Sequence, residues 1–93
     1  MTYNTEDKDY TFREFYISDH MMGALRRYID EGLPTGHFLT AVLNNNLSEA
    51  VSRADNETLA NLPAFCAYLY WEAPSQCHGS PEKVSAWIAS FNN

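Results

Sequence analysis

The sequence predicts an all-α fold, a compact small domain of about five short helices with an N-terminal extended arm packed on it. Apolar residues recur at helical spacing from residue 18 onward, and glycine, proline and asparagine separate the periodic stretches. The length of 93 residues allows a single folding unit. We divide the chain into an acidic and aromatic arm, residues 1–17, and a helical domain, residues 18–93.

The composition is that of a chain that can build a core but is poorly suited to polyanions. Hydrophobic residues make up 45% of it and aromatic residues 14%. The net charge of −6 argues against broad contact with phosphates, which needs clustered Lys and Arg. The start MTYNTEDKDY does not resemble a signal peptide, and no apolar run approaches the roughly 20 residues of a membrane span. We therefore expect a cytoplasmic protein with reduced cysteines.

The arm has a polar start and an aromatic end. Met1 to Asp9 shows no periodic apolar pattern, so we expect it to be mobile. Tyr10 and Phe12 alternate as in a strand, but Phe15 breaks the alternation and no later strand offers a partner. We interpret this part as an extended arm or a short helical turn on the helices. Its large apolar residues are Tyr10, Phe12, Phe15, Tyr16 and Ile17.

The first helix is predicted to begin at Ser18 or Asp19, since either side chain can cap an N-terminus. Gly32 should end it, because glycine readily adopts the left-handed conformation, and Pro34 prevents an immediate restart. Its predicted inner face consists of Met21, Met22, Leu25, Tyr28 and Ile29.

Two short helices are predicted next, from about Thr35 to Leu43 and from Leu47 to Ala54. The run Asn44-Asn45-Asn46 separates them, because Asn tolerates left-handed backbone and caps helices with its side chain. The apolar positions are Phe38, Leu39, Val42 and Leu43 in the first and Leu47, Ala50, Val51 and Ala54 in the second.

A fourth helix is predicted from about Asn56 to Glu72, with Asp55 as its cap. Pro63 lies too deep for the first turn, and a proline inside a helix costs about 3 kcal/mol. We favour a kink there; the alternative is a second segment capped by Asn61 or Leu62. The residues expected to face inward are Leu59, Leu62, Phe65, Cys66, Leu69 and Tyr70.

The last helix has a clear start signal, with Ser80 as cap, Pro81 in the first position and Glu82 in the first turn. It follows a loop over residues 74–79. Its predicted apolar face consists of Val84, Trp87, Ile88 and Phe91.

The sequence contains no pattern that indicates catalysis, a metal or a cofactor. Zinc ligands usually come in close pairs such as C-x2-C, which this chain lacks. Cys77-His78 invites a nucleophile interpretation, but neighbours in sequence rarely point at each other. We expect no enzyme, no cofactor and no disulfide between Cys66 and Cys77. The best metal candidates, which we do not favour, are Cys66, Cys77, His78, His20 and His37.

The aromatic residues are the most informative feature for function. A domain this small does not bury every ring, and exposed Tyr, Trp and Arg dominate binding hot spots. The alternative, left open, is that the arm simply covers the rings of the fourth helix. The predicted partner-binding residues are Tyr10, Phe12, Phe15, Tyr16, Tyr68, Trp71, Arg26 and Arg27.

Three spaced motifs, RYI-x-x-G, FL-x-AVL-x-N and LY-x-x-AP-x-x-C-x-GSP-x-x-V-x-x-W, run through residues 18–88. With this spacing the chain resembles a group of small, mostly uncharacterised proteins of bacteriophages and prophages. The arm and Pro63 depart from that pattern. The matching positions include His20, Gly23, Arg27, Tyr28, Ile29, Gly32, Phe38, Leu39, Ala41, Val42, Leu43, Ala54, Asp55, Leu69, Tyr70, Ala73, Pro74, Cys77, Gly79, Ser80, Pro81, Val84 and Trp87.

The resemblance implies a non-enzymatic phage or prophage accessory protein. Small phage proteins without catalytic motifs commonly occupy a surface of a host protein, as anti-CRISPR inhibitors do, and we extend that analogy to inhibition of a bacterial defence complex. One alternative is a small DNA-associated regulator that uses Arg26, Arg27 and Arg53, although direct nucleic-acid binding is not favoured. Another is a self-associating structural or host-takeover component, such as a homodimer. Deletion of Met1 to Ile17 is expected to abolish partner binding and to leave the helical spectrum largely intact.

Overall fold

Helices dominate residues 10–92, the part of the chain that the computed structural model describes. The predicted all-α class is confirmed for this part, which adds only one small β-hairpin. Met1 to Asp9, predicted to be mobile, lies outside the described residues. The elements are β1 (Tyr10–Phe12), β2 (Phe15–Ile17), α1 (Asp19–Glu31), α2 (His37–Leu43), α3 (Leu47–Arg53), α4 (Asn56–Ala60), α5 (Leu62–Trp71), a 3₁₀ turn (Ser75–Cys77) and α6 (Pro81–Ser90).

The aromatic end of the arm forms a β-hairpin, so the expectation of a lone extended arm or a helical turn was wrong. β1 and β2 pair with each other in antiparallel register, with Tyr10 opposite Ile17 and Phe12 opposite Phe15. A two-residue loop resets the alternation, which places Phe12 and Phe15 on one face although they are three positions apart. The loop carries no turn signal in the sequence, because Arg13 holds a φ of 57° where hairpin loops usually carry Gly or Asn.

Helix α1 has the predicted boundaries. Ser18 is its N-cap residue, but its side chain forms no capping hydrogen bond within residues 10–92. Gly32 ends the helix with a φ of 70°, as expected. A side chain is also excluded there by packing, since a Cβ on Gly32 would lie 2.5 Å from the ring of Phe91.

Helices α2 and α3 pack against each other. The turn between them places Asn45 in the left-handed region, and the Asn46 side chain accepts the N–H of Glu49, so the predicted roles of these asparagines are confirmed. Leu47 and Val51, which fall at the apolar spacing of α3, are 62% and 43% exposed. Only Ala50 of this two-turn helix is buried.

The predicted fourth helix is two helices, α4 and α5, so the favoured kink was wrong and the alternative break is correct. Pro63 has no N–H to donate to Leu59, and the break puts it in the first turn of α5, where none is needed. Asn61 fills the gap and is only 7% exposed. Its Oδ1 accepts the Tyr16 N–H at 3.0 Å, and its Nδ2 donates to the Glu57 carbonyl at 2.9 Å. The break therefore joins the hairpin to both helices.

Two predicted helix caps in the C-terminal half are confirmed, and both have strong local signals in the sequence. Asp55 forms a reciprocal capping box with Thr58 at the start of α4. Ser80 accepts the N–H of Lys83 at the start of α6.

Tyr28 connects the first helix of the domain to its C-terminal part. It is completely buried, and its hydroxyl donates to the carbonyl of Cys77 at 2.7 Å. The Trp87 indole in turn donates to the Tyr28 carbonyl at 3.2 Å. Helix α1, the 3₁₀ turn and α6 are thereby held together. The buried core around them consists of Ile17, Met22, Leu25, Tyr28, Phe38, Leu39, Ala41, Leu43, Ala50, Ala64, Phe65, Leu69, Cys77 and Val84.

Candidate functional site

Helix α5 is apolar around its whole circumference. Its sequence, LPAFCAYLYW, contains no charged residue. One side buries Ala64, Phe65 and Leu69, whereas Tyr70 and Trp71 are 75% and 68% exposed. A helix that is hydrophobic on all sides is normally buried on all sides. Here the described domain covers only part of it.

The sequence pattern predicted the wrong orientation for three residues of α4 and α5. Leu59, Cys66 and Tyr70 were expected to face inward, and all three are exposed. The break at Asn61 is one reason, because the phase of α4 does not continue into α5. The other reason is that periodicity cannot select an inner face where apolar residues occupy every side.

An open concavity of about 500 Å³ lies between the hairpin and α5. Tyr70 and Trp71 form a ridge along one edge, with their rings 4.8 Å apart in an edge-to-face arrangement. Two features outside the spaced motifs meet here, since the hairpin contributes Phe12 and the helix break contributes Pro63. Within the described residues no charged side chain lines this concavity. Its lining is Phe12, Pro63, Cys66, Ala67, Tyr70 and Trp71.

The uncharged surface continues on the other side of Cys66. One depression lies between Cys66, Leu62 and the exposed Leu47 of α3. A second lies beside Tyr70 and includes His78. Burial, followed by the charge of Lys83, lowers the pKa of His78, so this imidazole is neutral at neutral pH. We call the combined surface the α5 face, defined by Phe12, Leu47, Pro63, Cys66, Tyr70 and Trp71.

Some of the predicted aromatic residues lie on the α5 face. Others are covered where the hairpin packs on the helices. The rings of Tyr10 and Tyr68 stack edge to face at 5.2 Å and so cover each other. Phe15 packs against the core. The alternative that the arm covers the aromatic rings is therefore correct for Tyr68, and it does not apply to Trp71.

Tyr16, which was also predicted to bind a partner, has a role inside the fold. Its hydroxyl donates a hydrogen bond to Glu57, and its backbone N–H donates to Asn61. These bonds fix the hairpin on the helix break. Tyr16 therefore holds the hairpin in place beside α5 and is not itself part of the α5 face.

The predicted basic residues lie apart from the exposed ridge. Arg26 and Arg27 are exposed on α1, and Arg26 is close enough to Tyr68 to affect its ionisation. Arg53 forms an ion pair with Glu49 at 2.7 Å, which neutralises part of the charge proposed for DNA contact. A cation that the sequence analysis missed is Arg13, whose guanidinium lies 5.1 Å above the ring of Phe12. It places a positive charge at the rim of the concavity.

The cysteines lack the features of a nucleophile. Cys66 and Cys77 are both free thiols, and Cys77 is completely buried. Burial raises the pKa of both, so both are protonated at neutral pH. Within residues 10–92 no three His, Cys, Asp or Glu side chains are grouped so as to hold a metal ion.

Among residues 10–92, no helix is both long enough and apolar enough to cross a membrane.

Comparison with known proteins was made for the whole chain. No protein-family model, no curated protein and no solved structure matches it. The geometry of the α5 face, the charge of the chain and the resemblance of its motifs are what support a function.

Proposed function

We propose that this chain is a non-enzymatic accessory protein of a bacteriophage or prophage that binds a host protein through the α5 face. The observation that carries the proposal is the exposed pair Tyr70 and Trp71, beside a concavity that no charged side chain of residues 10–92 lines. Tyr and Trp are the residues that dominate interface hot spots, and interface centres are depleted in charge. The two rings also contact each other edge to face at 4.8 Å, which favours one arrangement of the pair.

The proposal that the host is a bacterium rests on the motif resemblance and not on the α5 face. The spacing of the three motifs is similar to that of phage and prophage proteins, which act in the cytoplasm of a bacterial host. Occupation of a surface on a bacterial defence complex is the form of binding that we propose, because it requires contact area and no chemistry. Direct nucleic-acid binding is not part of the proposal.

The charge of the chain adds a property of the partner. A net charge of −6 attracts a basic surface over several ångströms and repels an acidic one. The partner should therefore offer an apolar pocket for Trp71 inside a basic rim. Charge attraction of this kind mainly raises the association rate, and salt should reduce it.

Site-specific photocrosslinking in bacterial cells tests the proposal. p-Benzoylphenylalanine replaces Tyr70 in one variant and Ser85, an exposed residue of α6, in the matched control. We expect illumination to join the probe at position 70 to one host protein and to leave position 85 without that adduct. Adducts that are identical at both positions, or absent at position 70, would contradict the proposal.

A further inference from the structure

The centre of the α5 face, as residues 10–92 form it, holds no charged side chain, so two copies of this acidic chain can meet there without like charges in contact. Each copy carries a net charge of −6, so most orientations of two copies bring acidic side chains together. Around Cys66, the three concavities are lined within the described residues by apolar, amide, thiol and imidazole groups. The centre of the face therefore avoids the repulsion that opposes self-association elsewhere.

The shape of the face is complementary to itself. Cys66, a small exposed residue, lies in the middle of α5, and Ala67 beside it is buried. The ridge of Tyr70 and Trp71 lies towards the C-terminal end of the helix, and Pro63 borders the concavity on the N-terminal side of Cys66. Pro63 and Tyr70 are three and four residues from Cys66, which is about 5–6 Å along a helix in each direction. An antiparallel crossing at Cys66 would thus bring the ridge of each copy to the concavity of the other.

This arrangement is an isologous two-fold contact, in which the same surface serves both partners. A small residue at the crossing point allows the two helices to approach closely. Homodimer interfaces are also more apolar than transient interfaces, which fits a helix with no charged residue.

The available area is sufficient for a specific contact. A fully buried Tyr or Trp contributes roughly 150–250 Å², and Tyr70 and Trp71 are both more than two-thirds exposed in the single chain. Four such rings across a two-fold axis supply about half of the roughly 1,000 Å² that a specific interface needs. Phe12, Pro63 and the 62% exposed Leu47 extend the area beyond the rings.

We propose that a second copy of this chain occupies the α5 face in the free protein. The two α5 helices cross antiparallel near Cys66, and the Tyr70–Trp71 ridge of each copy enters the concavity of the other. This inference goes beyond host binding and does not depend on it. If both hold, the host protein competes with the second copy, and a rising concentration of the chain lowers its apparent affinity for the host.

Sedimentation of the purified full chain tests the dimer without any host protein present. We expect the wild type to change from 10.6 kDa to twice that mass with a midpoint in the micromolar range. Trp71→Glu should stay monomeric, because it buries an unpaired charge on each side of the contact. Leu33→Glu is the matched control, since Leu33 is 44% exposed and lies outside the α5 face. It adds the same charge and should still dimerise.

Cysteine crosslinking supplies the geometry that sedimentation lacks. Cys66 lies at the proposed axis and is exposed, whereas Cys77 is completely buried. A short bismaleimide should therefore join two copies through Cys66, and Cys66→Ser should abolish the product. Each variant is first checked for an unchanged helical circular dichroism spectrum.

The outcomes separate the two proposals. A monomer at all concentrations, a dimer that survives Trp71→Glu, or loss of the dimer in Leu33→Glu would overturn the dimer on the α5 face. If position 70 forms a host adduct and the free chain is a monomer, the proposed function stands and the dimer is excluded. If the chain dimerises and position 70 forms no host adduct, the dimer stands and the proposed function is excluded.

Discussion

The region around Tyr28 and the α5 face differ in how their aromatic rings are used. Tyr28 is fully buried, and hydrogen bonds connect it to Cys77 and Trp87. Tyr70 and Trp71 are exposed beside an open concavity, and their ring contact is with each other. The first group holds three elements in place. The second is held in place by the fold and leaves most of its surface free.

The same difference appears along the chain, between the three spaced motifs and the residues outside them. Motif residues such as Tyr28, Gly79 and Trp87 join elements, and the Gly79 N–H donates to Leu43 at 2.8 Å. Phe12 and Pro63, which depart from the motifs, line the concavity. The motifs thus coincide with residues of the architecture, and most of the α5 face lies outside them.

The largest effect is expected from removing Met1 to Ile17. The sequence alone suggested that the helices would survive this deletion, but Ile17 is completely buried and the hairpin packs on α5. Loss of a buried Ile side chain alone costs about 2–5 kcal/mol, comparable to the whole stability of a small domain. We expect loss of the cooperative thermal transition by circular dichroism. A variant that retains the transition would show that the hairpin is dispensable.

A smaller loss of stability is expected for Tyr28→Phe. The change leaves the Cys77 carbonyl without the hydroxyl donor and should cost about 1–3 kcal/mol, measured by urea unfolding at neutral pH. An unchanged midpoint would contradict the stabilising role of the hydrogen bond from Tyr28 to Cys77.

The same variant has a pH signature. Burial, and then the Cys77 thiol, raise the pKa of Tyr28 from 10.0 to about 12. The unfolded chain ionises near 10, so the contribution of neutral Tyr28 is complete below pH 10 and is lost as the pH rises from 10 to 12. The stability difference between wild type and Tyr28→Phe should therefore shrink above pH 10. A constant difference would contradict the burial of this hydroxyl.

Local signals in the sequence predicted much of the framework. Gly32, Asn46, Asp55 and Ser80 act through neighbours within a few residues, and such interactions are visible in a sequence. The hairpin was missed because Arg13 is an unusual residue for its tight loop.

The α5 face was predicted only in part. Trp71 and Phe12 were selected as aromatic candidates, but the exposure of Tyr70 and Cys66 was not foreseen. A helix with apolar residues on every side carries no sign of which side the domain covers. That choice is made by contacts far apart in sequence, such as the bond between Tyr16 and Asn61.

Trp71→Ala separates folding from binding most directly. Wild type, Trp71→Ala and the control Leu33→Ala are compared for capture of the host protein that is joined to position 70. We predict that Trp71→Ala loses at least about 2 kcal/mol of binding free energy while its unfolding free energy changes by less than about 0.5 kcal/mol, and that Leu33→Ala binds as the wild type does. Equal capture by all three proteins would contradict the claim that the α5 face is the binding surface.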